Sequence, residues 1–367
     1  VHWMMLAVAL PVMLGALMQL LPVVAAVRVT ESRSARLLLA PLCWITAAAL
    51  INAFSGFAGT AQLAFAAAAI CGSLLLLLVV FVYFPALRNV ELVDNTTLTL
   101  RFIPLSLCAV LVAGVLMAGI FGDLPVPLLP VGWLLNVHVG AASVAWLAAL
   151  LVGIASTTVP MFWQTPRPGR WFQTFFPASF WFTSLLLLIP AWQAIASVSM
   201  AVSVTVCAVC SLFALLKAKR RNDPGYLLWL IAGAGWTAGA MIVLALQCGL
   251  LTGNSWPWIA GVLVLIGGVW LPVNAMLVKI IPFLVFLHLR RRLPPRSKIP
   301  PMQMLLPVKQ ALWQARAQGL TLLLLLAIPL HPELLRVIAG FGFATTQIWL
   351  GILLLRVLWK FRKLQAS

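Results

Sequence analysis

The chain has 367 residues, of which 63% are hydrophobic and 8% charged, and its formal net charge at pH 7 is +18. A soluble protein of this length needs a charged surface, so this composition excludes a water-soluble globular fold. It predicts an all-α polytopic membrane protein, because a bilayer-spanning helix needs about 20 apolar residues and satisfies its backbone hydrogen bonds internally.

Eleven apolar stretches follow one another along the sequence, and nearly all of them are long enough to cross a bilayer. The predicted spans are 3–27, 37–57, 62–87, 102–122, 134–162, 174–192, 195–216, 225–249, 256–288, 317–330 and 337–355. Residues 1–367 are therefore predicted to form a single transmembrane domain. The first span begins at the start of the sequence, and a further helix ahead of Val1 would bring the number of spans to twelve.

Basic residues fall almost entirely in alternate connections between the spans. The longest connection, the Pro-rich segment 289–316, holds seven of them, and of the chain's 24 basic residues only Arg336 lies in a connection of the other set. Cytoplasmic loops of membrane proteins carry the excess of lysine and arginine. The pattern therefore predicts that the 289–316 loop and the C-terminus are cytoplasmic.

The positive charge is interpreted through this topology. Loop lysines and arginines orient the protein and are attracted to anionic lipid headgroups. The expected partner is the lipid bilayer, and the charge gives no reason to expect nucleic acid. Whether a further membrane protein binds is left open by the sequence.

Three spans share a pattern at their inner ends, which we interpret as an internal repeat of helix pairs. A small residue precedes a proline by seven positions in each of them. The pairs are Gly15 and Pro22 in span 1, Gly153 and Pro160 in span 5, and Ala275 and Pro282 in span 9. Spans 1 and 5 also carry a histidine near the outer end, although its offset from the proline is not the same in the two. Repeats of this kind commonly pair helices around a site within the membrane.

The stretch 137–160, which contains His138, Trp146 and Gly153, resembles a helix in the catalytic subunit of haem-copper oxidases, especially the cbb type. The proline-ending segments of the three spans are similar to bacterial inner-membrane proteins of the NnrS type, which contain haem and copper. An oxidase subunit uses six histidines for two haems and a copper, whereas this chain has four in all. The resemblance therefore implies a haem-copper-oxidase-like protein of the bacterial inner membrane that lacks the oxygen-reducing centre.

His138 and His2 are the candidate ligands of one haem or copper site near the outer face. Two axial imidazoles would hold a haem b, and imidazole is also a ligand of copper. Asn136 is the nearest acceptor in the sequence that could fix the tautomer of His138. The alternative is that His138 bonds to water or to Asn136 at the membrane interface and that the protein binds no cofactor.

Four polar residues are candidates for lining a cavity: Asn136, Asn274, Gln19 and Lys279. Lys279 is three residues from Pro282 and is expected to snorkel to the inner interface. All six acidic residues fall in loops or at span ends, whereas proton-coupled transporters usually carry an intramembrane carboxylate. No nucleophile elbow, phosphate-binding loop or zinc-protease motif is present, so an enzyme is not expected. Two alternatives remain open: a permease for a small molecule or metal, and an accessory or assembly subunit of a membrane complex.

Overall fold

The computed structural model describes residues 2–24, 27, 33–56, 59–91, 95–292 and 302–366, with side chains except at 19–20, 22–24, 33–36, 95–98, 100–101, 291–292, 302–303 and 365–366. Every regular element in these ranges is a helix. Nine of the described helices are long and apolar enough to cross a membrane. The prediction of an all-α polytopic membrane protein is confirmed.

Eleven long helices, named α1 to α11 in chain order, correspond to the eleven predicted spans. They are α1 (Trp3–Ala9 and Leu10–Val24), α2 (Arg33–Ser55), α3 (Ala61–Leu87), α4 (Asn95–Phe121), α5 (Val131–Trp163), α6 (Arg170–Leu186), α7 (Pro190–Leu216), α8 (Pro224–Gln247), α9 (Ser255–Gly261, Val262–Trp270 and Leu271–Arg292), α10 (Val308–Ala327) and α11 (Pro332–Ala366). Apolar runs of this length fold as helices because a helix leaves no backbone group of its interior without a partner.

The helix α10 begins nine residues before the predicted span 317–330. Its first part, VKQALWQAR, is not strongly apolar but consists largely of good helix formers, and this propensity extends the helix beyond the apolar run. Lys309 and Arg316, predicted in the 289–316 loop, therefore lie on α10. At the other end of that loop, 289–292 belong to α9, and 293–301 lie outside the described residues.

A short helix, Met302–Leu305, precedes α10. The ammonium Nζ of Lys360 on α11 donates to the backbone carbonyls of Met304 at 2.8 Å and of Leu305 at 3.1 Å. Carbonyls at the end of a helix have no partner within it. Lys360 supplies that partner and so fixes the short helix Met302–Leu305 against α11.

The described chain forms two compact units. The first comprises Val1–Thr158 and Arg167–Ser203, and the second comprises Val159–Pro166 and Val204–Ser367. In the first unit, the buried hydroxyl of Tyr83 on α3 donates to the backbone carbonyl of Leu14 on α1 at 2.7 Å. The helices α5 and α7 each contribute residues to both units.

Glycine allows close helix packing in both units. In the first, a Cβ on Gly153 of α5 would lie 2.2 Å from Cγ2 of Thr99 on α4. In the second, a Cβ on Gly235 of α8 would lie 2.9 Å from the carbonyl oxygen of Leu263 on α9. Small residues at such positions let membrane helices approach closely. A Cβ on Gly15 would meet no atom within 4 Å, so the two glycines of the predicted repeat differ in their packing.

Three of the described helices contain a π-helical segment, and they are the three in which the sequence predicts a repeat. The segments are Trp3–Ala9 in α1, Ala141–Ala148 in α5 and Val262–Trp270 in α9. The interval from the start of each segment to the proline of the repeat pattern is the same in α1 and α5 and one position longer in α9. Because π-helical turns are rare, their agreement in position supports the duplication.

In each π segment a backbone carbonyl accepts a hydrogen bond from a tryptophan of a neighbouring helix. The indole Nε1 donors and their acceptors are Trp44 and Ala7 at 2.8 Å, Trp181 and Ala145 at 3.1 Å, and Trp236 and Gly268 at 2.6 Å. An indole N–H away from water needs an acceptor, and the π segments supply one. Trp44 lies on α2, the helix after α1, and Trp181 lies on α6, the helix after α5. Trp236 instead lies on α8, the helix before α9.

Candidate functional site

His2 and His138, the two histidines that the sequence assigns to a haem or copper site, lie side by side in the first unit. Their ring centroids are 6.2 Å apart and their ring planes are inclined by 25°. His2 directly precedes the π segment of α1, and His138 lies three residues before that of α5. Both side chains are half-buried. The structure therefore brings both predicted ligands to one place.

The ring of His138 is held by α4. Its Nδ1 lies 3.0 Å from the backbone carbonyl oxygen of Val110. Because a carbonyl can only accept, Nδ1 carries hydrogen, and Nε2 of the neutral ring then has a free lone pair. A backbone carbonyl on the second ring nitrogen is a common support of metal-ligating histidines.

The prediction that Asn136 provides this support is wrong. Its side-chain Nδ2 donates to Oε1 of Gln193 at 3.0 Å instead. Residues two positions apart in a helix do not face each other, so Asn136 and His138 point to different neighbours. The acceptor comes from Val110 on another helix, which no local pattern could indicate.

Gly114 makes room for the same imidazole. A Cβ at this position would lie 3.1 Å from Cε1 and 3.4 Å from Nδ1 of His138. Such contacts are closer than ordinary van der Waals separation, so a side chain here would push the ring. Val110 and Gly114 are one helical turn apart, and together they fix the ring and its distance from α4.

Phenylalanine rings from three helices form a series of aromatic contacts that begins at His2. The ring of Phe54 on α2 lies 5.5 Å from that of His2, with planes inclined by 16°. Phe65 on α3 lies 5.3 Å from Phe54, and Phe121 on α4 lies 5.2 Å from Phe65. Ring separations of this size are typical of aromatic pairs. Stacking on Phe54 orients the ring of His2. Among the interactions that the structure describes, His2 has no backbone acceptor of the kind that holds His138.

Two imidazoles restrict which metal centre the site could hold. Metal–nitrogen bonds of about 2.0–2.1 Å place two ligating nitrogens about 4 Å apart, which is compatible with ring centroids 6.2 Å apart. Among the described residues, no group of three or more histidine, cysteine, aspartate or glutamate side chains could hold a metal ion. The pair therefore suits haem iron, whose other four ligands come from the porphyrin, or copper(I), and does not suit a tetrahedral zinc site.

Among the predicted cavity-lining residues, Asn274 and Lys279 belong to the second unit. Asn274 is buried, and its Nδ2 donates to Oε1 of Gln347 on α11 at 3.1 Å. The side chain of Gln19 lies outside the described residues. Asn274 thus has a partner that links α9 to α11.

Lys279, which is expected to snorkel to the inner interface, forms an ion pair with Asp223, a partner that the sequence does not indicate. The Asp223 carboxylate also accepts from the indole of Trp163 at 3.0 Å and from the backbone N–H of Gly225 at 2.9 Å. It caps the N-terminus of α8, and the following proline is the residue favoured at the first helical position. The Asp–Pro dipeptide signals the cap, but nothing in the sequence links it to a lysine on the next helix. We interpret this cluster as structural.

The other two histidines are His288 on α9 and His331 in the turn before α11. Nδ1 of His288 lies 2.8 Å from the backbone carbonyl of Leu284, one turn earlier in α9. His331 is exposed in the turn before α11. Neither contributes to a group of metal-ligating side chains in the described part of the chain.

Comparison with known proteins gives no match: no protein-family model, no curated protein and no solved structure is similar to this chain. The resemblance to haem-copper oxidases therefore stays an expectation from the sequence. The geometry of the histidine pair is the main support for a function.

Proposed function

We propose that this chain is a haem-copper-oxidase-like membrane protein without an oxygen-reducing centre, and that His2 and His138 bind one metal centre, copper or haem iron. The observation that carries the proposal is the approach of the two rings to 6.2 Å from separate helices. It is supported by the hydrogen bond from Nδ1 of His138 to Val110, which leaves Nε2 as the ligating atom.

A bound haem or copper would supply one-electron redox chemistry. The chain's own residues would bind and orient it: His138 held by Val110, and His2 stacked on Phe54. Oxygen reduction at a two-metal centre needs more ligands than the four histidines of this chain provide.

The proposal places the site at the periplasmic face of the bacterial inner membrane. This placement rests on the alternation of basic residues, which assigns the 289–316 loop and the C-terminal tail to the cytoplasm. Both histidines lie at the beginning of helices that would then run from outside to inside. A half-buried pair at that surface is accessible to a periplasmic electron-transfer partner.

The test is a reduced-minus-oxidised spectrum and a metal analysis of the purified protein, with single alanine variants of His2 and His138. We expect one haem or one copper per chain, lost in both variants. His331→Ala is the matched control, because His331 is exposed in a turn, and it should keep full occupancy. Protein that binds neither group, or equal loss of occupancy in the control, would contradict the proposal.

A further inference from the structure

One face of α10 is polar inside the second unit. Gln314, Gln318 and Thr321 follow one another at intervals of four and three residues, which places them on one side of the helix. Their exposed fractions are 0%, 2% and 4%. A buried polar stripe in an apolar helix requires partners, because such groups have lost their hydrogen bonds to water.

Part of the stripe is bonded to α11 and through it to α9. Nε2 of Gln314 donates to the backbone carbonyl of Thr346 at 3.0 Å, and Nε2 of Gln347 donates to Oγ1 of Thr346 at 3.4 Å. Oε1 of Gln347 accepts from Asn274 at 3.1 Å. We name Asn274, Gln314, Gln318, Thr346 and Gln347 the amide cluster.

Several buried polar atoms around this cluster have no hydrogen-bond partner among the described residues. They are Oε1 of Gln314, both Oε1 and Nε2 of Gln318, and Nε1 of Trp270. Trp270 is one helical turn from Asn274, and its ring lies 5.9 Å from Phe343, one turn from Gln347. The indole therefore belongs to the same junction of α9 and α11. Buried donors and acceptors of this kind are normally satisfied.

The unpartnered atoms define the chemistry of a ligand. Two are acceptors and two are donors, so a molecule that satisfies them must both donate and accept hydrogen bonds. A metal cation would be repelled by the N–H donors, and an anion by the amide oxygens. Two charged side chains on α9 and α10 are engaged elsewhere: Lys279 pairs with Asp223, and the exposed Arg316 lies over the ring of Trp313. The ligand is therefore neutral.

We propose that the amide cluster binds a small neutral molecule with both donor and acceptor groups, which is either solvent water or a polar solute of the urea class. The site is independent of the histidine pair in the first unit. A molecule bound there would hydrogen-bond the buried polar atoms between α9, α10 and α11, which otherwise pack through apolar side chains.

The experiment is hydroxyl-radical labelling of the full chain in lipid nanodiscs, in water enriched in oxygen-18, with oxygen incorporation read at individual tryptophans. Trp270 should be labelled although it is only 4% exposed, because a bound water would generate the radical beside it. Trp163 is the control: it is also buried, at 0% exposure, and its indole N–H is bonded to Asp223. Labelling of Trp270 no greater than that of Trp163, with and without urea, would overturn the proposal.

Added urea distinguishes the two sources. The labelling of Trp270, normalised to that of the exposed Trp313, should fall if urea occupies the site and stay constant if water alone does. Gln318→Leu should abolish the labelling of Trp270 in either case, whereas Gln310→Leu, at an exposed position in the first turn of the same helix, should not. An unchanged labelling pattern at the other tryptophans establishes that the variant is folded, and persistent labelling of Trp270 in Gln318→Leu would refute the site.

Discussion

The imidazole rings of His2 and His138 lie 6.2 Å apart although three helices, α2, α3 and α4, lie between α1 and α5 in the chain. Their helices are the two whose sequences show the fuller repeat pattern. The pair is not symmetric, because His138 is held by a backbone carbonyl of α4 and His2 by the ring of Phe54.

Gly114→Ala should weaken binding at the histidine pair. The new methyl group would lie 3.1 Å from Cε1 of His138 and push the ring from its position, and changes in the support of a metal ligand typically lower affinity by about tenfold or more. Haem or copper occupancy after titration measures the effect. Gly132→Ala is the control, since a Cβ there meets no atom within 4 Å. Equal occupancy in the two variants would show that Gly114 does not position the ring.

Asp223→Ala should destabilise the second unit. It removes the cap of α8, worth about 1 kcal/mol, and leaves Lys279 without its partner. Asp223→Asn keeps a capping side chain and should lose less, and adding Lys279→Met to Asp223→Ala should recover part of the loss. Thermal unfolding in detergent measures these differences. Glu333→Ala, which breaks the exposed pair with Arg336, should change stability by no more than about 1 kcal/mol; a larger effect there than at Asp223 would contradict the assignment.

Replacing an indole that bonds a π segment should cost stability in each of the three helices. Trp44→Phe, Trp181→Phe and Trp236→Phe each remove one hydrogen bond to a carbonyl, worth about 0.5–1.5 kcal/mol. Amide hydrogen exchange should rise most in the π segment that has lost its donor. Trp313→Phe, whose ring is exposed, serves as control. Exchange that is unchanged in all three segments would argue against a supporting role of these bonds.

The orientation in the membrane can be tested with reporter fusions. Green fluorescent protein at the C-terminus should be fluorescent and alkaline phosphatase there inactive, because the basic tail is expected in the cytoplasm. Fusion after Gly253, in the uncharged connection between α8 and α9, should give the opposite result. Active phosphatase at the C-terminus would reverse the topology and place the histidine pair on the cytoplasmic side.

The sequence predicted all eleven helices because apolar runs of bilayer length have few other structures open to them. It misplaced the start of α10, where helix-forming polar residues continue the helix beyond the apolar run. His2 and His138 could be singled out from the repeat, but their supports, Val110 and Phe54, could not, because both contacts depend on how distant helices pack. The ion pair of Lys279 with Asp223 was missed for the same reason.

The π segments also determine the angular relation between the two ends of α1 and α5. Each lies between a histidine and the proline of the same helix, and each wider turn takes up residues that would otherwise advance the helix by about 100° apiece. Deleting one residue within Ala141–Ala148 should therefore convert the wide turn into an α-helical one and leave His138 facing Val110, whereas a deletion in the α-helical part between Ala148 and Pro160 would rotate His138 away. The wide turn thus lets each helix hold an additional residue between its histidine and its proline without turning the histidine ring away from its contacts.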